Sequence, residues 1–291
     1  MKNLCTVSDS NFLPKGMALY DSLKEKSSDF VLHYLLIDND KYDLCKNNEC
    51  ESLKFYKVSD LIESDPFLKS IKEGEYRYFC WILSAYFSNK LLNENNFRSI
   101  TYVDSDIYFY ETIDVLFDQF SDKDIGVFRH RQFPMNTYRP EGLLNLGIIH
   151  FKNTPIGREA LNWWNDAVLH KKYPGLATCG DQKYIEFFMV AYPQNIQVDG
   201  EVGHSAPWEW QLYDLSDFNQ DRTINWEGRK QKLIFNHFSQ FHADFNNDTY
   251  IASTSHHIYT PLSAYTENEV LKKIHEEYFL RLKNSIEKYN L

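Results

Sequence analysis

Short apolar runs alternate with polar turns and helical patterns along the first part of the chain. The apolar run 4–7 precedes the turn-forming segment 8–11, and Pro14 opens a helical pattern that continues to about Lys26. A second apolar run, 30–37, ends in a cluster of acidic and amide residues. This order of elements is typical of a parallel sheet covered by helices on both faces. Because ligands of such sheets bind at the carboxyl ends of strands, segment 8–11 is expected to lie at a binding site.

The alternation of apolar runs, polar turns and helical patterns continues to the end of the chain. It predicts further strands at 55–58, 99–103, 107–110, 125–128, 145–151 and 233–238. It predicts helices that begin near Tyr76, Ile113, Pro155 and Gly180, and a long final helix at 267–289. We therefore expect one α/β domain, residues 1–265, with a C-terminal helix, residues 266–291, packed on it.

The final helix has an apolar stripe and a basic face. The basic face carries Lys272, Lys273, Arg281 and Lys283. Two interpretations remain open: a solvated outer face of a helix packed on the domain, or a peripheral contact with a membrane surface. No apolar run approaches the roughly 20 residues that span a bilayer.

Composition excludes several classes of partner. The net charge of -10 argues against nonspecific binding of nucleic acid, which depends on neutralising phosphates with Lys and Arg. The chain has no Gly-x-Gly-x-x-Gly motif and no P-loop motif. The sequence therefore gives little support to the interpretation as a dehydrogenase or a P-loop enzyme. An odd number of cysteines, 5, and an N-terminus without an apolar signal core predict a reduced, cytoplasmic setting. The 47 aromatic side chains (20 Tyr, 21 Phe and 6 Trp) suit a core of large rings and, in part, a sugar-stacking surface.

The pair Asp104 and Asp106 is the most informative feature. It follows the predicted strand 99–103, and positions i and i+2 of an extended backbone point to the same side. Two carboxylates aimed at one half-buried place repel each other unless a cation lies between them. Mg²⁺ or Mn²⁺, held by carboxylates and substrate phosphates, is the expected solution. The competing interpretation is a solvated turn or a helix cap.

Two further polar positions accompany the pair. Asp181 follows Gly180 and, on its own, is best explained as the cap of the next helix. His237 lies in the apolar strand LIFNHF, where a histidine is usually a core residue. Beside a carboxylate site it becomes a reasonable third ligand, because imidazole suits Mn²⁺ better than Mg²⁺.

Five segments in order carry a resemblance to a known family. They are TVSDSNFLPKGMALYDSL at 6–23, YVDSD at 102–106, LNLGII at 144–149, GDQKY at 180–184 and NHF at 236–238. Over residues 4–242 the chain resembles GT-A fold glycosyltransferases of the retaining, family-eight-like branch, and bacterial nucleotide-diphospho-sugar transferases. The resemblance implies a Rossmann-like, three-layer α/β sandwich with a mostly parallel central sheet.

The resemblance also implies roles for individual residues. Asp104, Asp106 and His237 would hold the metal. The donor would contact Thr6, Asp9, Asn11, Arg77, Ser105 and Asn145, and Asp181 and Gln182 would lie beside the anomeric carbon as catalytic residues. One departure matters: after His237 the family motif continues toward a Gly and a phosphate-binding Lys, whereas this chain reads FSQFH. The phosphate-binding lysine is therefore unassigned.

The expected activity is divalent-metal-dependent transfer of a sugar from a nucleoside diphosphate, most simply UDP, to a hydroxyl of a glycan, lipid or protein. The resemblance implies retention of anomeric configuration; an inverting enzyme would need a base, for which Asp181 and Glu209 are candidates. Two alternatives stay open. One is a sugar-nucleotide-forming nucleotidyltransferase, which would normally show an early Gly-rich loop. The other is a non-catalytic protein of the same fold that binds glycans or nucleotide sugars.

Overall fold

A computed structural model describes residues 1–131, 142–176, 180–199, 202–218, 221–252 and 268–291. Its strands are β1 Lys2–Ser8, β2 Phe30–Leu36, β3 Leu53–Lys57, β4 Ser99–Val103, β5 Ile107–Phe109, β6 Ile125–Arg129, β7 Leu144–Lys152, β8 Ile196–Val198, β9 Gly203–Ser205, β10 Tyr213–Asp214, β11 Thr223–Trp226, β12 Arg229–His237, β13 His242–Asp244 and β14 Thr249–Ile251.

The helices are α1 Leu13–Lys26, α2 Tyr42–Lys46, α3 Val58–Ser64, α4 Pro66–Gly74, α5 Tyr76–Glu94, α6 Asp114–Gln119, α7 Pro155–Leu169, α8 Phe187–Ala191 and α9 Glu269–Tyr289. Short 3-10 helices span Gln182–Glu186 and Trp210–Leu212.

The central sheet has 7 strands in the order β3-β2-β1-β4-β7-β6-β8. Strands β3, β2, β1 and β4 are parallel, and so are β6 and β8, whereas β7 runs antiparallel to both of its neighbours. All residues of β2 are buried, as expected for a strand covered on both faces. The prediction of a largely parallel α/β sheet is therefore confirmed.

Two apolar cores lie on opposite faces of this sheet. Alternate residues of β1 separate them, with Leu4 in one core and Cys5 in the other. Helix α1 covers the first face through residues such as Met17, and helices α5 and α7 cover the second through residues such as Phe79 and Trp164. This gives the helix, sheet and helix layers that the resemblance implies.

A second sheet brings distant segments together. It has the order β10-β11-β12-β5, and β9 pairs with β12. Strand β12 is antiparallel to β5, with His237 opposite Ile107. Since β5 begins just after the acid pair, this register carries the late histidine to the end of β4.

Helix α9 packs on the second sheet and on α1. The ring of Tyr278 stacks on that of Phe238 with centroids 3.6 Å apart. The helix is capped at its N-terminus by Asn268, whose side chain accepts from the backbone N–H groups of Val270 and Leu271. Residues 266 and 267 of the expected C-terminal segment lie outside the described residues.

Much of the basic face of α9 is paired with acidic side chains. Lys272 pairs with Glu269 at 2.8 Å, Arg281 with Glu25 at 2.7 Å and Lys283 with Asp248 at 2.6 Å. These pairs favour the interpretation of a helix packed on the domain over that of a membrane-binding face. Among the described residues, no helix is both long enough and apolar enough to cross a bilayer.

Most predicted elements are confirmed, with one correction. The strand at 99–103 has the predicted bounds, and the helices from Tyr76 and Pro155 begin as predicted. The segment 180–190 was predicted as one helix, but it contains the 3-10 helix Gln182–Glu186 followed by α8. The tighter turn arises at the cavity described below, where Asp181 and Gln182 are held by tertiary contacts.

The packing of α9 predicts a contrast between two leucines. Leu282 is 1% exposed in the core against the second sheet, whereas Leu280 on the same helix is 56% exposed. We expect Leu282→Ala to lower the free energy of unfolding by about 2–5 kcal/mol, because it removes buried methyl groups and leaves a cavity. Leu280→Ala should change it by less than about 0.5 kcal/mol. Urea unfolding followed by circular dichroism measures both, and equal effects would contradict this packing.

Candidate active site

The turn 104–106 is fixed between three strands. The Asp104 N–H donates to the carbonyl of Gly147 on β7 at 2.8 Å, and the Phe238 N–H donates to the carbonyl of Asp106 at 2.8 Å. The Ile107 N–H donates back to the carbonyl of Asp104 at 3.1 Å. The backbone of the turn is thereby pinned, and both carboxylates face one cavity.

His237 lies against both carboxylates. Its Nε2 is 3.1 Å from Asp106 Oδ1 and 3.6 Å from Asp104 Oδ2. One ligand atom from each of the three residues lies within 4.8 Å of the others. Pairing of β12 with β5 sets this geometry, because it fixes His237 opposite the first residue after the turn.

The donor set fits a divalent cation. Two carboxylate oxygens and an imidazole nitrogen converge on one point, a combination that suits Mn²⁺. The hydroxyl of Tyr102 donates to Asp104 Oδ1 at 2.8 Å, an outer hydrogen bond of the kind that orients a metal ligand. Asp104, Asp106 and His237 could therefore hold the ion and leave positions open for substrate oxygens.

The three side chains perturb one another's titration. Burial raises the pKa of Asp104. Burial also acts to raise the pKa of Asp106, but His237 and then Lys15 outweigh it and lower that pKa to about 2. Burial acts to lower the pKa of His237, and Asp106 outweighs it, so the net pKa of the imidazole is raised. Without another cation, the cluster therefore favours a proton on His237.

A cavity of about 480 Å³ surrounds the cluster. It opens where β1, β2 and β4 end, as expected for a sheet of this kind. The predicted site residues that line it are Asp9, Asp104, Ser105, Asp106, Asn145, Asp181, Gln182 and His237.

Three predicted donor residues do not line this cavity. Thr6 is fully buried within β1, and its hydroxyl has no hydrogen-bond partner among the residues that the structure describes. Asn11 is exposed and borders a neighbouring groove of about 420 Å³. Arg77 is exposed in another groove, where its guanidinium lies over the ring of Trp81 at 4.7 Å; Trp81 also lines the main cavity.

Asp181 is held rigidly at the far wall of the cavity. Gly180 adopts φ +68°, and a Cβ there would lie 2.7 Å from the ring of Trp81, so both conformation and space require glycine. The Ser84 hydroxyl donates to the Asp181 carboxylate, and Trp164 Nε1 donates to the Asp181 carbonyl at 3.1 Å. Burial raises the pKa of Asp181 to about 7.

Gln182 and Asn145 are fixed by the bulged end of β7. Gln182 Oε1 accepts from the Leu146 N–H at 3.1 Å. Asn145 Oδ1 accepts from the Gly147 N–H at 2.9 Å, and Asn145 Nδ2 lies 3.0 Å from His130 Nε2. The register shift between β6 and β7 directs these amide groups toward the acid pair.

Sequence reasoning missed several residues of the wall. Trp81, His130 and Trp208 line the cavity, and the ring of Trp208 meets His237 edge to face at 5.7 Å. The residue types of the loop Ala206-Pro207-Trp208 suit either a sugar pocket or a plug of the core, and the pairing of β9 with β12 that brings the loop here has no local signal.

Glu209, a candidate base for an inverting reaction, is placed away from the cavity. It is 1% exposed and accepts from the Arg131 N–H at 3.2 Å and the Tyr213 hydroxyl at 3.2 Å. His204 Nδ1 lies 3.1 Å from it. These contacts indicate that Glu209 stabilises the packing around Arg131, Tyr213 and His204.

The metal cluster predicts pH-dependent binding of Mn²⁺. A divalent ion must displace the proton of His237, whose pKa is raised, so affinity for Mn²⁺ should fall as the pH decreases through that pKa. Asp106→Asn should weaken binding roughly tenfold or more, because it removes a charged ligand. Asp9→Asn changes a carboxylate of the same cavity outside the cluster and should leave it nearly unchanged. Titration calorimetry at several pH values tests this, and equal losses in both variants would contradict it.

The buried carboxyl of Asp181 predicts a second pH effect, on stability. Its pKa is about 7 in the folded protein against 3.8 ordinarily, so the folded state binds more protons between these values. Its contribution to stability should therefore decline as the pH rises from about 4 to about 7, at no more than about 1.4 kcal/mol per pH unit. Asp181→Asn should remove this decline. Urea unfolding in chelator at pH 4.5 to 8 measures it, and a constant difference between variant and wild type would contradict it.

Comparison with known proteins supports the fold. No protein-family model matches the chain. The chain is similar to two uncharacterised proteins of Bacillus subtilis strain 168: 28% identical to YfnF over 252 residues, and 24% identical to YfnD over 244 residues. These alignments cover 81% of this chain in each case, and 80% of YfnF and 76% of YfnD.

Solved structures show the same architecture at low sequence identity. Mouse xyloside xylosyltransferase 1 matches 82% of this chain and 98% of its own with a TM-score of 0.53 at 18% identity. Galactosyltransferase LgtC, in complex with donor and acceptor sugar analogs, matches 81% of this chain and 87% of its own with a TM-score of 0.57 at 11% identity. An active-site mutant of LgtC matches 97% and 95% with a TM-score of 0.59, also at 11% identity. The chain therefore has the GT-A fold of these glycosyltransferases, in agreement with the resemblance drawn from its motifs.

Proposed function

We propose that this protein is a metal-dependent glycosyltransferase that moves a sugar from a nucleoside diphosphate, UDP, to a hydroxyl group of an acceptor. The observation that carries the proposal is the convergence of Asp104, Asp106 and His237 in a cavity at the strand ends of a GT-A fold. The fold alone would leave the function open. A buried acid pair with a third ligand gives the cavity a specific chemistry.

The chemistry begins at the leaving group. When bound, a divalent cation, Mn²⁺ in this proposal, supplies the positive charge that stabilises the negative charge of the departing diphosphate. Asp104, Asp106 and His237 hold it, and Tyr102 orients Asp104 through its hydroxyl. Ser105, between the acids, faces the cavity and contacts the donor.

The opposite wall orients the sugar. Asp181, Gln182 and Asn145 line the cavity and are held by Ser84, Leu146 and Gly147. Fixed polar groups of this kind bring donor and acceptor into line, which accounts for a large share of the rate in such reactions. We assign Asp181 and Gln182 to the anomeric carbon and Asn145 to a hydroxyl of the donor sugar.

The nucleoside is assigned to the ends of β1 and β2. Ser8, Asp9 and Ile37 line that part of the cavity. In this proposal Asp9 contacts the nucleoside directly, while Thr6 supports β1 from inside the core. Asn11 and Arg77 lie in the adjoining grooves and would reach the donor only from the rim.

The acceptor is proposed to be a glycan. Mouse xyloside xylosyltransferase 1 and the LgtC complex with an acceptor sugar analog have the same fold, which supports a sugar acceptor. Trp81 and Trp208 offer aromatic faces at the cavity wall. Retention of configuration is part of the proposal. Of the two candidate bases for an inverting reaction, Glu209 does not line the cavity, and Asp181, which does, is assigned here to the anomeric carbon. A lipid or protein carrier for the glycan and a cytoplasmic location remain predictions from the sequence.

Two variants separate donor binding from turnover. Asp106→Asn should abolish Mn²⁺-dependent binding of UDP and with it transfer, because the diphosphate loses its cation. Asp181→Asn should keep the Kd for UDP and Mn²⁺ within about threefold while lowering kcat by roughly a hundredfold or more. Calorimetry gives the Kd. Release of UDP from a panel of UDP-sugars gives turnover, and NMR of the product gives its anomeric configuration.

The contrary outcomes are distinct. Full turnover in Asp106→Asn, or in excess chelator, would contradict the metal-dependent mechanism. Binding of free glycans by the wild type, without binding of UDP and without turnover, would indicate a non-catalytic glycan-binding protein.

A further inference from the structure

Acidic side chains dominate the charge on the described lining of the cavity. Its described lining residues include four carboxylates, those of Asp9, Asp104, Asp106 and Asp181, and none is a lysine or arginine. A divalent cation would offset the charge of two carboxylates at most. A nucleoside diphosphate brings further negative charges, so its binding here calls for another positive group within reach.

Lys15 is a cation beside the cavity. Its Nζ lies 3.8 Å from Asp106 Oδ2, whereas the other oxygen of that carboxylate, Oδ1, lies 3.1 Å from His237 Nε2. Lys15 and His237 therefore flank one carboxylate on its two oxygens. Lys15 itself lines the neighbouring groove, and Asp106 links its ammonium group to the acid pair at the main cavity.

The position of Lys15 is fixed by packing. The residue is 8% exposed, in the first turn of α1, and its Nζ lies over the ring of Phe12 at 4.3 Å. Phe12 itself lines the cavity. A cation held against an aromatic face is restricted in position, here beside Asp106.

The donors of this ammonium group are available. A separation of 3.8 Å from Asp106 exceeds ordinary hydrogen-bond distance, so this ion pair leaves room for a closer partner of the ammonium group. An ammonium group has three N–H donors and no acceptor, so a phosphate oxygen is a suitable partner.

A purely structural role explains the arrangement less well. A fixed cation beside a metal ligand repels the ion that the ligands are built to bind. If Lys15 served only to balance Asp106, it would oppose metal binding without a compensating gain. An anionic substrate that contacts both the metal ion and the lysine removes this conflict.

We propose that Lys15 binds the diphosphate of the donor and supplies the phosphate-binding cation that the segment after His237 lacks. The inference rests on the proposed function and deepens it, because it assigns a residue on α1 to the leaving group. Lys15 thereby contributes to binding of the ground state and to stabilisation of the departing diphosphate.

Calorimetry with a graded set of ligands tests this assignment. Wild type, Lys15→Met and Lys15→Arg would be titrated with UDP, UMP and uridine in Mn²⁺, and with Mn²⁺ alone. Lys15→Met should raise the Kd for UDP roughly tenfold to a hundredfold and the Kd for UMP by a smaller factor. The Kd for uridine should rise by less than about twofold. Lys15→Arg should recover part of the loss for UDP, and affinity for Mn²⁺ alone should stay the same or rise in Lys15→Met.

A matched control and a folding check accompany the test. Lys24→Met changes an exposed lysine on the same helix, whose Nζ lies 5.7 Å from the ring centroid of Tyr20, and should leave all four titrations unchanged. Circular dichroism would verify that Lys15→Met is folded, and Lys15→Arg keeps the test available if that variant is not.

Three other results of these titrations would contradict either the role of Lys15 or the proposed function. Equal losses for UDP and uridine in Lys15→Met would show that Lys15 only shapes the cavity, and an unchanged Kd for UDP would show that it only balances Asp106; either overturns the inference. Failure of the wild type to bind UDP in Mn²⁺ would instead overturn the proposed function, and this inference with it.

Discussion

Repulsion between two buried carboxylates is the constraint on which the site depends. Asp104 and Asp106 leave the same turn toward one cavity, and desolvation makes their charges costly unless a cation lies between them. In the structure His237 and Lys15 lie close to the pair and relieve part of this cost. The divalent ion and the phosphate-carrying donor that we propose would act at the same point.

The surrounding strands and helices hold the acid pair and His237 in position. Backbone hydrogen bonds to Gly147 and Phe238 fix the turn, and the pairing of β12 with β5 delivers His237. Helix α9 then packs on the residue after His237 through Tyr278 and Phe238. Helix α9 thus supports the position of His237, the proposed metal ligand, and no residue of the helix lines the described cavity.

The sequence was sufficient for features that have local causes. The strand before Asp104 and the helices at Tyr76 and Pro155 could be read from apolar periodicity and caps, and the motif resemblance added the order of the layers. The short strands β8 to β11 escaped prediction, because their residues acquire a strand pattern only through partners far along the chain. Lys15 was missed as a site residue, and the position of Trp208 could not be decided between pocket and core, for the same reason: helix packing and sheet pairing place them, and neither leaves a periodic signal.

The most direct measurement is a crystal structure of the protein with Mn²⁺ and UDP, with anomalous scattering collected at the manganese edge. We expect one strong anomalous peak within bonding distance of Asp104, Asp106 and His237 Nε2, with diphosphate oxygens completing the coordination of the ion. A peak elsewhere, or a UDP bound in the cavity without metal at these three residues, would contradict it.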